Sequence, residues 1–303
     1  MRVTLIHNPG AGRQQGDGPA KLVRLLEGEG HVVRVASADD RDWRRALEAP
    51  VDLVAVAGGD GTVARVAKAV VGRGIPVAPL PAGTANNIAR TLGLIDRPWE
   101  ELMRGWPDAR RVKLDVGIAR GPWGEQYFLE GVGAGLFACL LGSADPARKL
   151  ARAKQPNERV ALALQILKRQ AADCSAIEIA GAIDGADFSG RYLLFEAVNL
   201  MYVGPSLFLA PDSQPGDGTF DVVVVRETER DRLLNYLGTW QENRERLSVL
   251  PTRRGKHLRM QWTGFELHVD DELLPGQEGG TVELSVGELS VEFVAPDGKE
   301  TQR

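Results

Sequence analysis

The sequence predicts an α/β N-terminal domain with a doubly wound parallel sheet, followed by a β-rich C-terminal domain, an antiparallel sandwich with helices. Three observations predict it. From Met1 to about Asp115, short apolar runs alternate with helical segments. Two of those runs close on glycine turns. Beyond Asp115, alternating strand-like runs separated by turn residues take over. A βαβα order is the pattern of a parallel sheet, and strand runs at short spacing are that of a sandwich.

In the first half the expected strands are Val3 to Ile6, Val32 to Ala36, Leu53 to Ala57 and Val77 to Leu80. Helices are expected at Ala20 to Glu29, Trp43 to Glu48 and Val63 to Val71. In the second half strands are expected at Ile177 to Ile179, Tyr192 to Val198, Asp221 to Val225, His257 to Trp262, Phe265 to Val269, Val282 to Val286 and Leu289 to Val294. Helices interrupt them at Arg159 to Gln170 and Glu229 to Leu247. The domains are placed at residues 1–118 and 119–303, with the last strand able to return to the first domain.

The chemistry-bearing loops fall where an open parallel sheet gathers ligands, past the C-terminal ends of its strands. They are Asn8-Pro9-Gly10-Ala11-Gly12, Gly58-Gly59-Asp60-Gly61-Thr62 and Pro81-Ala82-Gly83-Thr84-Ala85-Asn86. Glycines let a backbone approach an anion, and a helix start points N–H groups at it. A hairpin at Asp60-Gly61 would need a second strand, but the residues after Thr62 have helical spacing instead. Gly59, Gly61 and Ala64 also fit a dinucleotide fingerprint, but the turn comes after the third strand and not the first. Asp60 would repel a pyrophosphate unless a cation lay between them, which a Mg²⁺–nucleotide supplies. The three loops together indicate a nucleotide site.

Composition narrows the field. A formal net charge of -4 does not suit a chain built to coat nucleic acid. Met1 to Asn8 has no apolar leader, and the apolar stretch from Val132 to Leu141 is too short to cross a bilayer. Cys139 and Cys174 fit a reducing cytosol and exclude a thiolate zinc cluster. The histidines His7, His31, His257 and His268 show no ligand spacing and read as structural.

Asn8-Pro9, the Gly58 to Thr62 turn and the run Pro81-Ala82-Gly83-Thr84-Ala85-Asn86-Asn87-Ile88-Ala89-Arg90 together resemble the diacylglycerol kinase catalytic-domain family, and its bacterial branch most. That family holds soluble bacterial lipid kinases and the sphingosine and ceramide kinases. The glycine turn alone is shared with NAD kinases, whose N-terminal fold is related. Later landmarks keep the order: Leu114-Asp115-Val116-Gly117, Gly131-Val132-Gly133-Ala134-Gly135, Asp217-Gly218-Thr219-Phe220-Asp221 and Asp270-Asp271-Glu272.

The resemblance implies ATP-dependent phosphorylation of a lipid hydroxyl, with diacylglycerol or a sphingoid base as substrate at the membrane surface. Asn8, Pro9, Ser37, Gly58, Gly59, Asp60, Gly61, Thr62, Thr84 and Asn86 would hold ATP. Asp60 would act through the nucleotide's Mg²⁺. Asp270 and Glu272 match the acids where the base is expected, and Asp115 would support it. Asp217, with Gln214 and Thr219, matches a structural Mg²⁺ position. Without the resemblance, Asp217-Gly218 reads equally as a turn, Asp115 as a strand end, and Asp270 to Glu272 as an exposed hairpin tip.

Two residues depart from the family pattern. Asn87 stands where many members carry Asp, and Asp271 where Gly is usual. Asp271 adds a like charge beside the expected base, which would raise one carboxyl's pKa. Phosphorylation of a soluble nucleotide and a non-catalytic nucleotide- or lipid-binding protein are the alternatives. The expected location is cytoplasmic, with peripheral contact at the inner membrane face. Arg148, Lys149, Arg152, Lys154, Arg159, Lys168 and Arg169 could supply that contact, although a solvated helix with its other face in the core is the favoured reading. Nothing in the sequence fixes an oligomeric state.

Overall fold

The computed structural model describes residues 1–11, 18–143, 150, 153, 155–242, 249–274 and 279–296. The chain divides into two units, Met1–Leu114 with Leu289–Arg303, and Asp115–Glu288.

In the first unit the order is β1 (Arg2–His7), α1 (Pro19–Gly28), β2 (Val32–Ser37), a 3-10 helix (Trp43–Leu47), β3 (Leu53–Gly58), α2 (Asp60–Ala69), β4 (Val77–Pro81), α3 (Asn87–Thr91) and α4 (Trp99–Gly105). The strands lie in the order β4-β3-β1-β2, all parallel, with Leu5 opposite both Val35 and Ala55, and Ala55 opposite Ala78. Every residue of β3 and the run Val3–Ile6 of β1 are buried. Unbroken apolar runs are what a strand covered on both faces requires. Helix α1 opens on Pro19 and buries Leu22 and Leu26, one turn apart. It stops at Gly30, whose φ of 81° permits the left-handed exit and lets His31 N–H reach the Leu26 carbonyl at 3.1 Å. Helix α2 begins at Asp60, directly after β3, and buries Thr62, Val63, Ala64, Val66 and Ala67. The Asp60-Gly61 turn is therefore a helix start and not a hairpin.

The second unit takes up the chain within β5 (Arg110–Gly121) and continues through β6 (Gly124–Phe128), β7 (Gly131–Gly135), α5 (Leu136–Gly142), α6 (Pro156–Asp173), β8 (Ile177–Ile183), β9 (Ala186–Asp187) and β10 (Gly190–Val198). Then come β11 (Tyr202–Val203), β12 (Leu207–Phe208), β13 (Phe220–Arg226), α7 (Arg230–Glu242), β14 (Thr252–Gly255), β15 (His257–Trp262), β16 (Leu267–Val269), β17 (Glu272–Leu274) and β18 (Gly280–Ala295). Its antiparallel strands run in the order β17-β16-β7-β10-β13-β14. The N-terminal end of β10 pairs with β8, β8 with β15, and β15 with the first part of β18.

Alternation along β10 serves two cores. Phe195 and Ala197 join Phe128, Phe220, Trp262 and Val282 in one. Leu194 and Val198 join Leu164, Leu167, Tyr236 and Trp240, from α6 and α7, in the other. Each Leu, Val or Phe among them contributes about 1.5–3 kcal/mol when fully buried. Helix α6 starts on a reciprocal Gln155–Glu158 capping box with Pro156 in its first turn. It turns Ala163, Leu164, Ile166, Leu167 and Ala171 inward and leaves Lys168 and Arg169 exposed. Arg148, Lys149, Arg152 and Lys154 lie outside the described residues.

One expectation needs correction, and another extends past the described residues. The runs Val282 to Val286 and Leu289 to Val294 form one strand, β18, which passes through Gly287 at φ 98° without breaking. The helix expected over Glu229 to Leu247 is described from Arg230 to Glu242, and residues 243–248 lie outside the described residues.

Candidate functional site

In the first unit, the loops after β1, β3 and β4 are tied to one another. Asn8 Nδ2 donates to Thr62 Oγ1 at 3.0 Å, and Asn8 Oδ1 accepts the Gly10 N–H at 2.8 Å. Ala82 N–H donates to the Gly58 carbonyl at 3.0 Å. Asn86, at φ 53°, folds its side chain back, accepting from Gly83 N–H at 2.8 Å and donating to the Gly83 carbonyl at 3.0 Å. Gly59 and Gly83 meet backbone to backbone, so closely that a Cβ on Gly83 would lie 2.4 Å from Gly59 Cα. Two glycine turns are thus pressed together beside the N-terminus of α2, where backbone N–H groups lack helical partners. That is a surface suited to an anion.

Asp60 fixes the third side of this knot. Its Oδ1 accepts the Ile88 N–H at 3.0 Å, and its carboxylate also faces the N–H groups of Asn87 and Asn86, so it caps α3 across the loops. Burial pushes the Asp60 carboxyl up, against the pull of those N–H groups. A desolvated carboxylate is favoured in its charged form by a nearby cation. Ser37 stands apart, its Oγ accepting from Asp39 N–H at 3.3 Å beside the end of β2. Pro9 is exposed in the turn after β1, and Thr84 is half-buried in the loop after β4.

In the second unit, Asp115, Asp217 and Asp270 are brought into one hydrogen-bonded neighbourhood, and among the described residues the Glu272 side chain is not tied into it. Asp115 is buried and its Oδ2 accepts the Gly218 N–H at 2.7 Å. Burial pushes its carboxyl up, the Gly218 N–H opposes this, and the nearby Asp217 charge adds to it. Asn199 Nδ2 donates to the Asp115 carbonyl at 3.3 Å, and Asn199 N–H donates to the Glu130 carbonyl at 3.0 Å. Glu130 N–H in turn donates to Asp270 Oδ1 at 2.8 Å, joined there by the N–H groups of Leu129 (3.1 Å) and Gly131 (3.2 Å). Asp270 occupies the tip between β16 and β17, with φ 51°, and is buried. It is not the exposed hairpin tip that the residues alone suggest. Asp271 and Glu272 are the exposed members of the tip.

Residues 2–117 match the diacylglycerol kinase catalytic domain. Through those residues the chain carries a diacylglycerol kinase-like catalytic domain. It is 24% identical to the diacylglycerol kinases of two Mycobacterium tuberculosis strains, CDC 1551 / Oshkosh and ATCC 25618 / H37Rv, over 89% of this chain and 88% of each relative. A crystal structure of a diacylglycerol kinase from Bacillus anthracis str. Sterne superposes with a TM-score of 0.72 at 22% identity, covering 98% of this chain and 97% of that one. At that identity the superposition shows the shared fold. The domain match and these relatives support a kinase. Among the described residues no helix is long and apolar enough to cross a membrane.

Within this diacylglycerol-kinase framework the position expected to hold a structural Mg²⁺ is engaged otherwise. Asp217 Oδ1 accepts from Thr219 N–H at 2.9 Å and from Thr219 Oγ1 at 2.6 Å, and its Oδ2 pairs with the Arg254 guanidinium. Arg254 Nε also lies 3.4 Å from Asp221 Oδ1, which is buried. Burial works against the Asp217 carboxylate, but Thr219 and Arg254 together hold its pKa below the usual range. The Gln214 carbonyl accepts the Asp217 N–H at 3.3 Å. A carboxylate with both oxygens engaged, beside a guanidinium, does not fit a resident divalent cation, and in this structure Asp217, Gln214 and Thr219 form an Arg254-bridged turn. Chelation of divalent metal should accordingly leave the melting temperature unchanged. Arg254→Leu should lower stability by about 1–3 kcal/mol, because it strips Asp217 and the buried Asp221 of their partner. A melting temperature that falls on chelation would reverse this assignment. No sequence signal marked Arg254, which lies far from Asp217 along the chain.

Proposed function

We propose that this kinase transfers the terminal phosphoryl group of Mg²⁺–ATP to a lipid hydroxyl, with diacylglycerol or a sphingoid base as the acceptor class. The observation that carries the reading is the knot of three loops in the first unit, where Gly59 meets Gly83 and Asp60 is buried against the backbone of Asn86 to Ile88. Backbone N–H groups of the Gly58 to Thr62 turn hold the phosphates, Asn8 and Thr62 brace the turn, and Asn86 sets the facing loop. Magnesium carried in on the nucleotide would neutralise phosphate charge, and Asp60 is the buried carboxylate whose charged form a cation would favour. In the second unit Asp270 is the carboxylate that takes the lipid hydroxyl proton. Asp115 holds the Gly218 turn, with Glu272 exposed at the same tip as Asp270. Phosphoryl transfer asks a protein chiefly for such positioning and charge balance.

The test is ADP release by the purified protein given Mg²⁺–ATP and mixed micelles of diacylglycerol, sphingosine or monoacylglycerol. Wild type should turn over with at least one lipid, and Asp270→Asn should lose at least about a hundredfold in kcat. Folded protein that releases no ADP above background with any lipid would end the proposal. Conversion of NAD to NADP, or ATP binding without ADP, would place it in another class.

A further inference from the structure

Three antiparallel strands of the second unit place an acid and a histidine in one row. Glu196 on β10 and His268 on β16 both lie opposite Gly133 on β7. Glu196 is fully buried and His268 nearly so. Gly133 makes the row possible, since a Cβ there would stand 2.1 Å from both carboxylate oxygens. His268 Nε2 lies 3.0 Å from Glu196 Oε1, and His268 Nδ1 lies 2.8 Å from the carbonyl oxygen of Asp270. Glu196 Oε2 has no hydrogen-bond partner among the described residues.

These contacts decide the tautomer. A carbonyl oxygen only accepts, so Nδ1 carries hydrogen. The contact between Nε2 and Oε1 then needs one proton, held by either partner. Removing it or adding another would leave an uncompensated charge inside the sheet. The pair therefore keeps a single shared proton. Burial alone would lower the His268 value, and the Glu196 and Asp270 contacts outweigh it and raise the value instead.

We propose that Glu196 and His268 are positioning residues for Asp270, holding its backbone carbonyl so that the proton-accepting carboxylate keeps one place. This rests on the reading of Asp270 as the base. The residue sits at φ 51°, a conformation that costs a residue bearing a Cβ. Its carboxylate is anchored by the N–H groups of Leu129 to Gly131, and His268 anchors the other end of the same residue. Stability alone is a weak reason for the pair, because apolar replacements of a buried ion pair are often neutral or better.

The test separates the two contacts of His268 in a Glu196→Gln background, which removes the buried charge and can still donate to Nε2. His268→Asn keeps a donor near the Nδ1 position, whereas His268→Gln reaches only toward residue 196. The Asn variant should restore kcat to within about threefold of Glu196→Gln alone, while the Gln variant should lose at least about tenfold with KM for ATP and lipid unchanged. Melting temperatures are measured alongside. Equal loss by both variants in step with melting temperature, or no loss by either, overturns the proposal. Asp270→Asn is assayed in parallel. If it stays active, the base reading itself has failed and the inference falls with it. If it is inactive while the two His268 variants behave alike, the positioning role alone is wrong.

Discussion

Gly83→Ala should weaken Mg²⁺–ATP binding by at least about tenfold, a loss of about 1.4 kcal/mol in binding free energy. The added methyl would lie 2.4 Å from Gly59 Cα and 2.8 Å from Asn86 Oδ1. Neither neighbour can swing aside. One is backbone in the opposing turn, and the other is clamped by its bonds to Gly83 itself. The two turns must separate, which also loosens Asp60 from the backbone of residues 86–88. Overpacking of this kind costs about 1–3 kcal/mol of stability. Calorimetric titration with Mg²⁺–ATP and thermal melting read the two effects. Gly28→Ala is the control, since a Cβ there meets nothing within 4 Å. Unchanged nucleotide affinity in a folded Gly83→Ala protein would show that the contact between the turns does not form the binding surface.

Gly133→Ala should be destabilising by about 1–3 kcal/mol or more, for a related reason in a deeper place. Its methyl would fall 2.1 Å from both oxygens of Glu196, a side chain with no exposed route of escape. The clash has a partner, so it can be tested as a coupling. Glu196→Ala removes the carboxylate and should make the double variant more stable than the sum of the single losses, by at least about 1 kcal/mol. Urea unfolding of the four proteins closes this cycle. Strict additivity would mean that the sheet relaxes around residue 133 without involving Glu196.

The same row explains where the sequence was legible and where it was not. Strands β1, β3 and β15 were readable because each carries its own pattern, continuous where both faces are covered and alternating where one is. Strand β7, Gly-Val-Gly-Ala-Gly, has little side chain with which to show alternation. Its glycines answer to neighbours distant in sequence, such as the Glu196 carboxylate and the backbone at Leu193 and Ala197. Glu196 sits inside a strand that the sequence marks only as apolar, and its pairing with His268 follows from strand order alone. In the first unit the loops announced themselves, since glycine next to Asp and Thr after an apolar run is a local signal. Asp60 as the cap of α3 was not local, and neither was Arg254 at Asp217. Long-range electrostatic partners leave no period in a sequence, whereas turns and strands do.

The final strand carries a consequence for biosynthesis. Phe293 of β18 lies in parallel register beside Val77, at the margin of the first sheet, although the intervening second unit separates them along the polypeptide. A ribosome therefore releases every residue of the second unit before it delivers the last piece of the first. Domains generally mature in order of emergence, but here the amino-terminal one stays unfinished until the whole second unit has been made. A nascent chain that stalls before Leu289 would leave the β4 margin without Phe293, an open strand flank on which nascent copies can associate.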